Sequence, residues 1–233
     1  KEMIVLITTL IIKNYAYVSE NHVLFNVESY KNYGLLSGRN KEDQIAGSRI
    51  QVANYKKNAG DFILWKPSTE AQPGWESPWG RGRPGWHIEC SAMAEKTLDL
   101  PFDIHGGGLD LTFPHHENEI AQSCAAHNFN NPKEYAKYWI HNGFVTMDGE
   151  KMSKSLGNIF LVNDLLKKYP GETLRLALLS SHYKQPLNWN PDIIEQAQKN
   201  LDRLYRVLKE NSHIIVEEKI VPSEEVIKAL SDD

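Results

Sequence analysis

Two histidines and two glutamates fall within five positions of FPHHENEIAQS, Phe113 to Ser123, immediately after Pro114. A proline at the first helical position and acids in the first turn are ordinary ways to open a helix. Capping does not account for the histidines. Protonation is disfavoured near a helix N-terminus, so the stretch reads as neutral imidazoles with free lone pairs beside carboxylates. His115 and Glu119 are four residues apart and share one helix face, the spacing at which two side chains grip one ion. His116, three residues from Glu119, is also within reach, and spacing favours His115 only mildly. Cys90, at the end of an expected strand in the preceding unit, can deliver a thiolate to the same sheet edge. Zinc accepts this mixture of sulfur, nitrogen and carboxylate oxygen in a tetrahedral site, and three protein ligands leave one position open. The competing reading is a polar helix start with an unrelated buried cysteine. Cys124 is set aside as a ligand, because nine helical residues separate it from His115 by about 13 Å of rise.

A second constellation is GEKMSKSLGN, Gly149 to Asn158, in which Lys151 and Lys154 alternate with Ser153 and Ser155. Flexible ammonium groups and hydroxyls on a Gly-bounded loop suit the neutralisation of charge that builds on phosphates during phosphoryl or nucleotidyl transfer. A solvated basic loop is the alternative.

The elements that must position these residues follow from composition and period. A chain of 233 residues, 41% apolar and 24% charged, buries a substantial core in one large domain or two small ones. Its formal charge of −4 argues against a general nucleic-acid coat and leaves room for a local basic surface. Two cysteines make no disulfide framework, so a reducing cytoplasm is the expected location. The longest apolar run, MIVLITTLII from Met3 to Ile12, is too short for a membrane span. Acidic Glu2 and the lack of a small-residue cleavage site argue against a signal peptide, and Ile4, Ile7 and Ile11 recur at helical spacing. YAYV and VLFNV flank the turn SENH as a hairpin, and DFILW is a short strand. The irregular stretch from Lys66 to Trp86 reads as an ordered loop packed at a cleft, keeping Trp75, Trp79 and Trp86 out of water.

After Gly85 the period changes. WHIEC is expected as a strand leading into the helical SAMAEKTLDL, FDIHGGGLDL as a strand leading into PHHENEIAQSCAAH, and YWIHNGFVTM as a third strand. This alternation predicts α/β architecture with parallel strands and crossover helices. Ligands in such sheets sit at the carboxyl ends of strands, where Cys90 and the run His105 to Gly108 fall. From Asn163 onward the chain reads as all helical, with Ile194, Ala197, Leu201, Leu204 and Leu208 forming a bundle-type seam.

KMSKS, Lys151 to Ser155, is identical to the signature loop of class I aminoacyl-tRNA synthetases. GRPGWHIECSAMA and DIHGGGLDLTFPHHENEIAQS resemble the cysteinyl-tRNA synthetase family in particular, and the resemblance runs from about Tyr15 to Arg206. It implies the second half of a Rossmann-like catalytic domain. Residues 1–80 would be a connective region inserted in that fold, 81–160 its second half with the KMSKS loop, and 161–233 a helical region leading towards the anticodon-binding part. It implies a zinc site at Cys90, His115 and Glu119, with Trp86 and His105 against the bound amino acid. Gly107 and Asp110 would lie near the adenosine, Lys154 on the ATP phosphates, and Lys151 beside it as the second catalytic lysine. The implied reaction activates L-cysteine with ATP and magnesium and transfers it to tRNA(Cys), in a cytoplasmic monomer with no membrane partner.

The family also carries a HIGH-type motif and a further zinc cysteine upstream of everything here, for which HNGF and HGGG are not substitutes, so the chain resembles a piece of such an enzyme. Two alternatives stand beside this reading: a related zinc-dependent ligase that joins cysteine to an amino sugar, and an inactive zinc- or RNA-binding fragment. Lys199, Arg203 and Arg206 share one helix face, which suits RNA contact or plain solvation. One outcome follows for the loop. In the complete enzyme, Lys154→Ala lowers the rate of adenylate formation by roughly a hundredfold, about 3 kcal/mol, because charge moves towards the leaving pyrophosphate only as the bond breaks. Pre-steady-state kinetics should show cysteine affinity little changed.

Overall fold

The computed structural model describes residues 1–39, 53–147, 149–152, 157–215 and 221–232. They form two compact units, Lys1–Phe144 with Tyr183–Pro186, and Val145–His182 with Leu187–Asp233.

The first unit opens with helix α1 (Glu2–Ile12), which buries Leu6, Ile7 and Leu10 along one stripe. Strands β1 (Ala16–Ser19) and β2 (His22–Phe25) form the expected hairpin. Its two turn residues, Glu20 and Asn21, have φ of 46° and 60°, the left-handed pair that a two-residue hairpin turn requires. β2 is central: Val23, Leu24 and Phe25 have no exposed surface. Strands β3 (Phe62–Pro67) and β4 (Gly82–Pro84) complete an antiparallel sheet in the order β1-β2-β3-β4. Asp61, 1% exposed, fastens the entry to β3 by accepting from Tyr17 Oη at 2.7 Å, Val27 N at 3.1 Å and Asn58 N at 3.1 Å.

Helix α2 spans Trp86–Leu98, so WHIEC is its first turn and not a strand. Five residues with apolar groups at alternate positions fit either period; the longer pattern decides, because Ile88, Ser91 and Ala92 bury one helical face. Gly85 caps the helix in an extended conformation, and a Cβ there would lie 2.0 Å from the Ile63 carbonyl oxygen, so the strand-to-helix junction admits only glycine. Strand β5 (Phe102–Gly108), helix α3 (Glu117–His127) and strand β6 (Ala136–Asn142) follow, and β5 and β6 pair in parallel with α3 between them in the chain. This is the α/β crossover that the alternation predicted. The unit's core joins Ile7 and Leu10 of α1, Val23, Phe25 and Leu64 of the sheet, Ile88 of α2, Ile120 of α3 and Tyr135 before β6.

YWIHNGFVTM is two strands, not one. It breaks at Gly143, whose N–H donates to the Tyr183 carbonyl at 2.7 Å and whose Cα faces Gln185 too closely for a side chain. The remainder is β7 (Val145–Met147) in the second unit. There β8 (Glu150–Lys151) pairs antiparallel with β7, and β9 (Leu187–Trp189) pairs parallel with it, so the region after Asn163 is not all helical. Helices α4 (Val162–Leu165), α5 (Gly171–Leu178), α6 (Pro191–Glu210) and α7 (Glu224–Ser231) make up the rest. Asn190 caps α6 by accepting from Ile193 N at 3.0 Å. Of the expected α6 seam, Ile194 and Ala197 pack with Leu174, Ala177 and Trp189, and Leu201 is also buried, whereas Leu204 and Leu208 are exposed, because α6 runs past the start of α5, whose first turn is already reached at Tyr205 through its bond to Glu172. Among the described residues no helix is long and apolar enough to cross a membrane.

The tryptophans of the irregular loop also divide. Trp79 packs on Trp65, with ring centroids 6.1 Å apart, while Trp75 and Trp86 are each 60% exposed, contrary to the expectation that all three leave water. For stability, truncating the central strand by Leu24→Ala should cost about 3 kcal/mol through the cavity it leaves. Val18→Ala on the exposed face of β1 should cost under about 0.5 kcal/mol. Urea unfolding monitored by circular dichroism checks both.

Candidate metal centre

Three elements of the first unit carry the centre. α2 brings Trp86 and Cys90, β5 brings His105, and the segment entering α3 brings His115 and His116 ahead of Glu119. Phe113 is extended, at φ −140° and ψ 132°, so the continuous helical run starts after it. His115 and Glu119 then stand on one face as their spacing predicts. All three of His115, His116 and Glu119 are buried, at 5%, 2% and 0% exposure.

Ligand atoms of Cys90, His115 and Glu119 lie within 4.8 Å of one another. Those of His105, His116 and Glu119 do as well, so the carboxylate is common to both groups. His115 Nε2 is 2.8 Å from Glu119 Oε1, and His105 Nε2 is 3.1 Å from Glu119 Oε2. Yet Glu119 Oε1 and His105 Nε2 are buried without a properly directed hydrogen bond among the described residues. Close donor atoms that converge without pairing are what ligands of a shared cation show, and the sulfur–nitrogen–oxygen set suits zinc. The residues present therefore fit the ion.

The surroundings orient these atoms. Tyr135 Oη donates to Glu119 Oε2 at 2.7 Å. His87 Nδ1 is 2.7 Å from His115 Nδ1, which leaves Nε2 of His115 to face Glu119 and the cysteine. The Trp86 ring covers His115, with centroids 4.2 Å apart. His116 Nδ1 meets His141 Nε2 at 2.8 Å. Burial raises the cost of the Glu119 charge, but His105, His115 and Tyr135 hold its pKa at about 2. Burial also works against a proton on His115, but contacts with Cys90 and Glu119 prevail and raise its pKa to about 9. His116, with burial and His105 against its charge, falls to about 4, and His87 falls to about 4 through burial and His115. The expectation of two neutral histidines is thus corrected for His115. The carboxylate and thiol that hold a proton there are the groups that would hold a metal ion in its place.

The remaining sequence candidates fall as follows. His105, in the middle of β5, lies against His116 and Trp139 at 4.5 and 4.9 Å between centroids. Gly107 accommodates His116, since a Cβ would sit 3.1 Å from its Cε1. Asp110 is exposed in the short turn Leu109–Leu111 beyond β5. Lys151 belongs to β8 of the second unit, and Lys154 lies outside the described residues. Cys124 faces the core with no exposed surface, and burial pushes its thiol up to about 12. Sequence reasoning missed His87, Tyr135, Trp139 and His141. A helical reading of WHIEC would have found His87, three residues before Cys90, and parallel pairing of β5 with β6 would have found His141, which sits opposite Gly107.

Comparison with known proteins agrees with the motifs. The family described as tRNA synthetases class I (C) catalytic domain matches residues 1–199. A cysteine–tRNA ligase of Parvibaculum lavamentivorans is 57% identical over 233 residues, covering 100% of this chain and 49% of that protein. One from Rhodospirillum rubrum is 56% identical over 232 residues, covering 100% and 50%, and one from Phenylobacterium zucineum is 64% identical over 194 residues, covering 83% and 41%. The chain spans about half the length of the curated relatives it matches. Since the match takes in the converging cysteine, histidines and glutamate as well as the KMSKS loop, the chain belongs to the family of class I (C) tRNA synthetase catalytic domains.

Proposed function

We propose that this chain supplies the amino-acid-selecting part of a ligase that activates L-cysteine with ATP to cysteinyl adenylate and transfers it to tRNA(Cys). The observation that carries the reading is the convergence of Cys90, His115 and Glu119 within 4.8 Å in a buried setting. The names of the curated relatives support it. The underlying problem is that cysteine and serine differ by one atom, and a pocket that reads shape rejects a near-isostere only by roughly tenfold to a few hundredfold. Zinc supplies a soft Lewis acid that favours a thiolate over a hydroxyl, which makes the choice chemical and not steric.

Cys90, His115 and Glu119 would hold the ion. Tyr135 fixes the Glu119 carboxylate, and His87 fixes the tautomer and plane of His115. Trp86, half open to solvent above His115, is placed to wall the amino acid, with His105 beside Glu119 placed against its polar end. The exposed Asp110 beyond the glycine run suits the adenosine of ATP. Lys151 and Lys154 would meet the phosphates with magnesium. The same reading assigns residues 1–80 to a connective insertion, 81–160 to the second half of the nucleotide fold and 161–233 to a helical region leading towards the anticodon, in a cytoplasmic monomer.

In the complete enzyme, Cys90→Ser should lower zinc from about one ion per chain to a small fraction, and abolish cysteine-dependent ATP–pyrophosphate exchange. Cys124→Ser should retain zinc. Metal analysis and exchange assays of the two variants decide the matter: undiminished zinc in the first, or loss in the second, removes Cys90 from the ligand set.

A further inference from the structure

Trp75 is 60% exposed, yet the loop that carries it is fastened by backbone and arginine hydrogen bonds. Its N–H donates to the Gly82 carbonyl at 2.7 Å, and its carbonyl accepts from Gly82 N at 3.0 Å. The Arg81 guanidinium donates to three backbone carbonyls, those of Ser68, Thr69 and Gln72, at 3.3, 2.7 and 3.1 Å. Arg83 donates to Ser68 Oγ at 3.3 Å and Gln72 Oε1 at 2.8 Å. Gly74 sits so close to Arg81 that a Cβ would lie 2.8 Å from Nη1. Trp79, four residues on, is tucked against Trp65. The fold therefore partly buries one loop tryptophan as an anchor and leaves the other exposed on a fastened backbone. An aromatic ring left in water on a fastened backbone forgoes its own burial and is placed to stack.

The charge around it selects the partner. Arg81 and Arg83 are bonded to neutral oxygens, and no carboxylate lies within ion-pair range of either among the described residues. Between Lys66 and Arg83 three cations face two anions, Glu70 and Glu76, both exposed. The residues flanking Trp75 are glycine, glutamate and proline, so no second apolar side chain adjoins its ring along the chain. A flat π-face beside fixed positive charge is the recognition chemistry of an unpaired nucleobase on a phosphate backbone. The loop also joins the centre directly: Gly82 begins β4, and one residue after β4, α2 starts with Trp86 and carries Cys90.

From this we propose that Trp75 is a stacking platform for a base of single-stranded RNA. Resting on the function proposed above, that RNA is the acceptor end of the tRNA, held as it approaches the adenylate.

The test uses the complete enzyme with Trp75→Ala and Trp75→Phe. Loss of one stacked base should raise KM for tRNA about tenfold in the alanine variant, while phenylalanine keeps it within about threefold. Cysteine-dependent ATP–pyrophosphate exchange, which needs no RNA, should stay at the level of the unaltered enzyme and shows that the loop still folds. A short single-stranded RNA should quench tryptophan fluorescence, and Trp75→Phe should remove that quenching. An alanine variant with unchanged KM for tRNA and undiminished quenching overturns the proposal. So does a variant that charges tRNA normally but loses association with another protein, which would assign the platform to a protein partner. If the unaltered enzyme fails to exchange pyrophosphate with cysteine, the proposed function falls, and the quenching experiment still decides the RNA platform by itself.

Discussion

Glu119 is a carboxylate with no surface in contact with water, and such a group is tolerated only where charges and protons close around it. Much of the first unit is arranged to answer it and the polar residues beside it on α3, where Glu117 to Ala126 are all buried. Tyr135, ahead of β6, donates to Glu119; His105 of β5 and His115 close on its two oxygens. Glu117, two residues earlier, is satisfied on the opposite side by the N–H groups of Gly34 and Ser37 at 2.8 and 2.9 Å, and Asn118 by Tyr33. Gln122 accepts from Ser91 of α2 at 2.6 Å. A helix with so many polar groups in the interior is held at one depth and one rotation, because shifting it by a residue would strand several of them.

That constraint explains how two adjacent histidines acquire opposite character. His115 turns towards Cys90, Glu119 and His87, and its contacts with Cys90 and Glu119 favour a proton or a cation on it. His116 turns towards His105, His141 and Trp139, where burial and other imidazoles keep it neutral. The helix dipole acts on both alike and decides neither. The parallel pairing of β5 with β6 supplies the second of these environments by placing His141 beside Gly107 at the carboxyl ends of both strands. A bare glycine there gives the His116 ring room to lie against the strand.

The loop before α2 shows the same division of labour on the surface. Arg81 satisfies carbonyls that no strand ladder reaches, so the irregular segment between β3 and β4, with Pro73 and Pro78, is as determined as a regular element. The side chains it exposes are therefore placed, not merely left over.

By itself the sequence determined the helix at Met3 to Ile12, the hairpin around SENH, the β5–α3–β6 crossover and the grouping of His115 with Glu119, because each depends on local period, turn residues or spacing within one element. It also carried the family, through motifs that are contiguous in the chain. Tertiary structure decided what depends on neighbours distant in the chain. WHIEC is a helix because Ile88, Ser91 and Ala92 meet a core that the five residues alone do not reveal. Trp75 is exposed while Trp79 is partly covered, because one bridge to Gly82 and one contact with Trp65 set their places. The break at Gly143 follows from a backbone approach to Gln185, more than forty residues later, and the roles of His87, Tyr135 and His141 exist only once three elements meet. Spacing along one element fixes which side chains share a face; only packing fixes what that face meets.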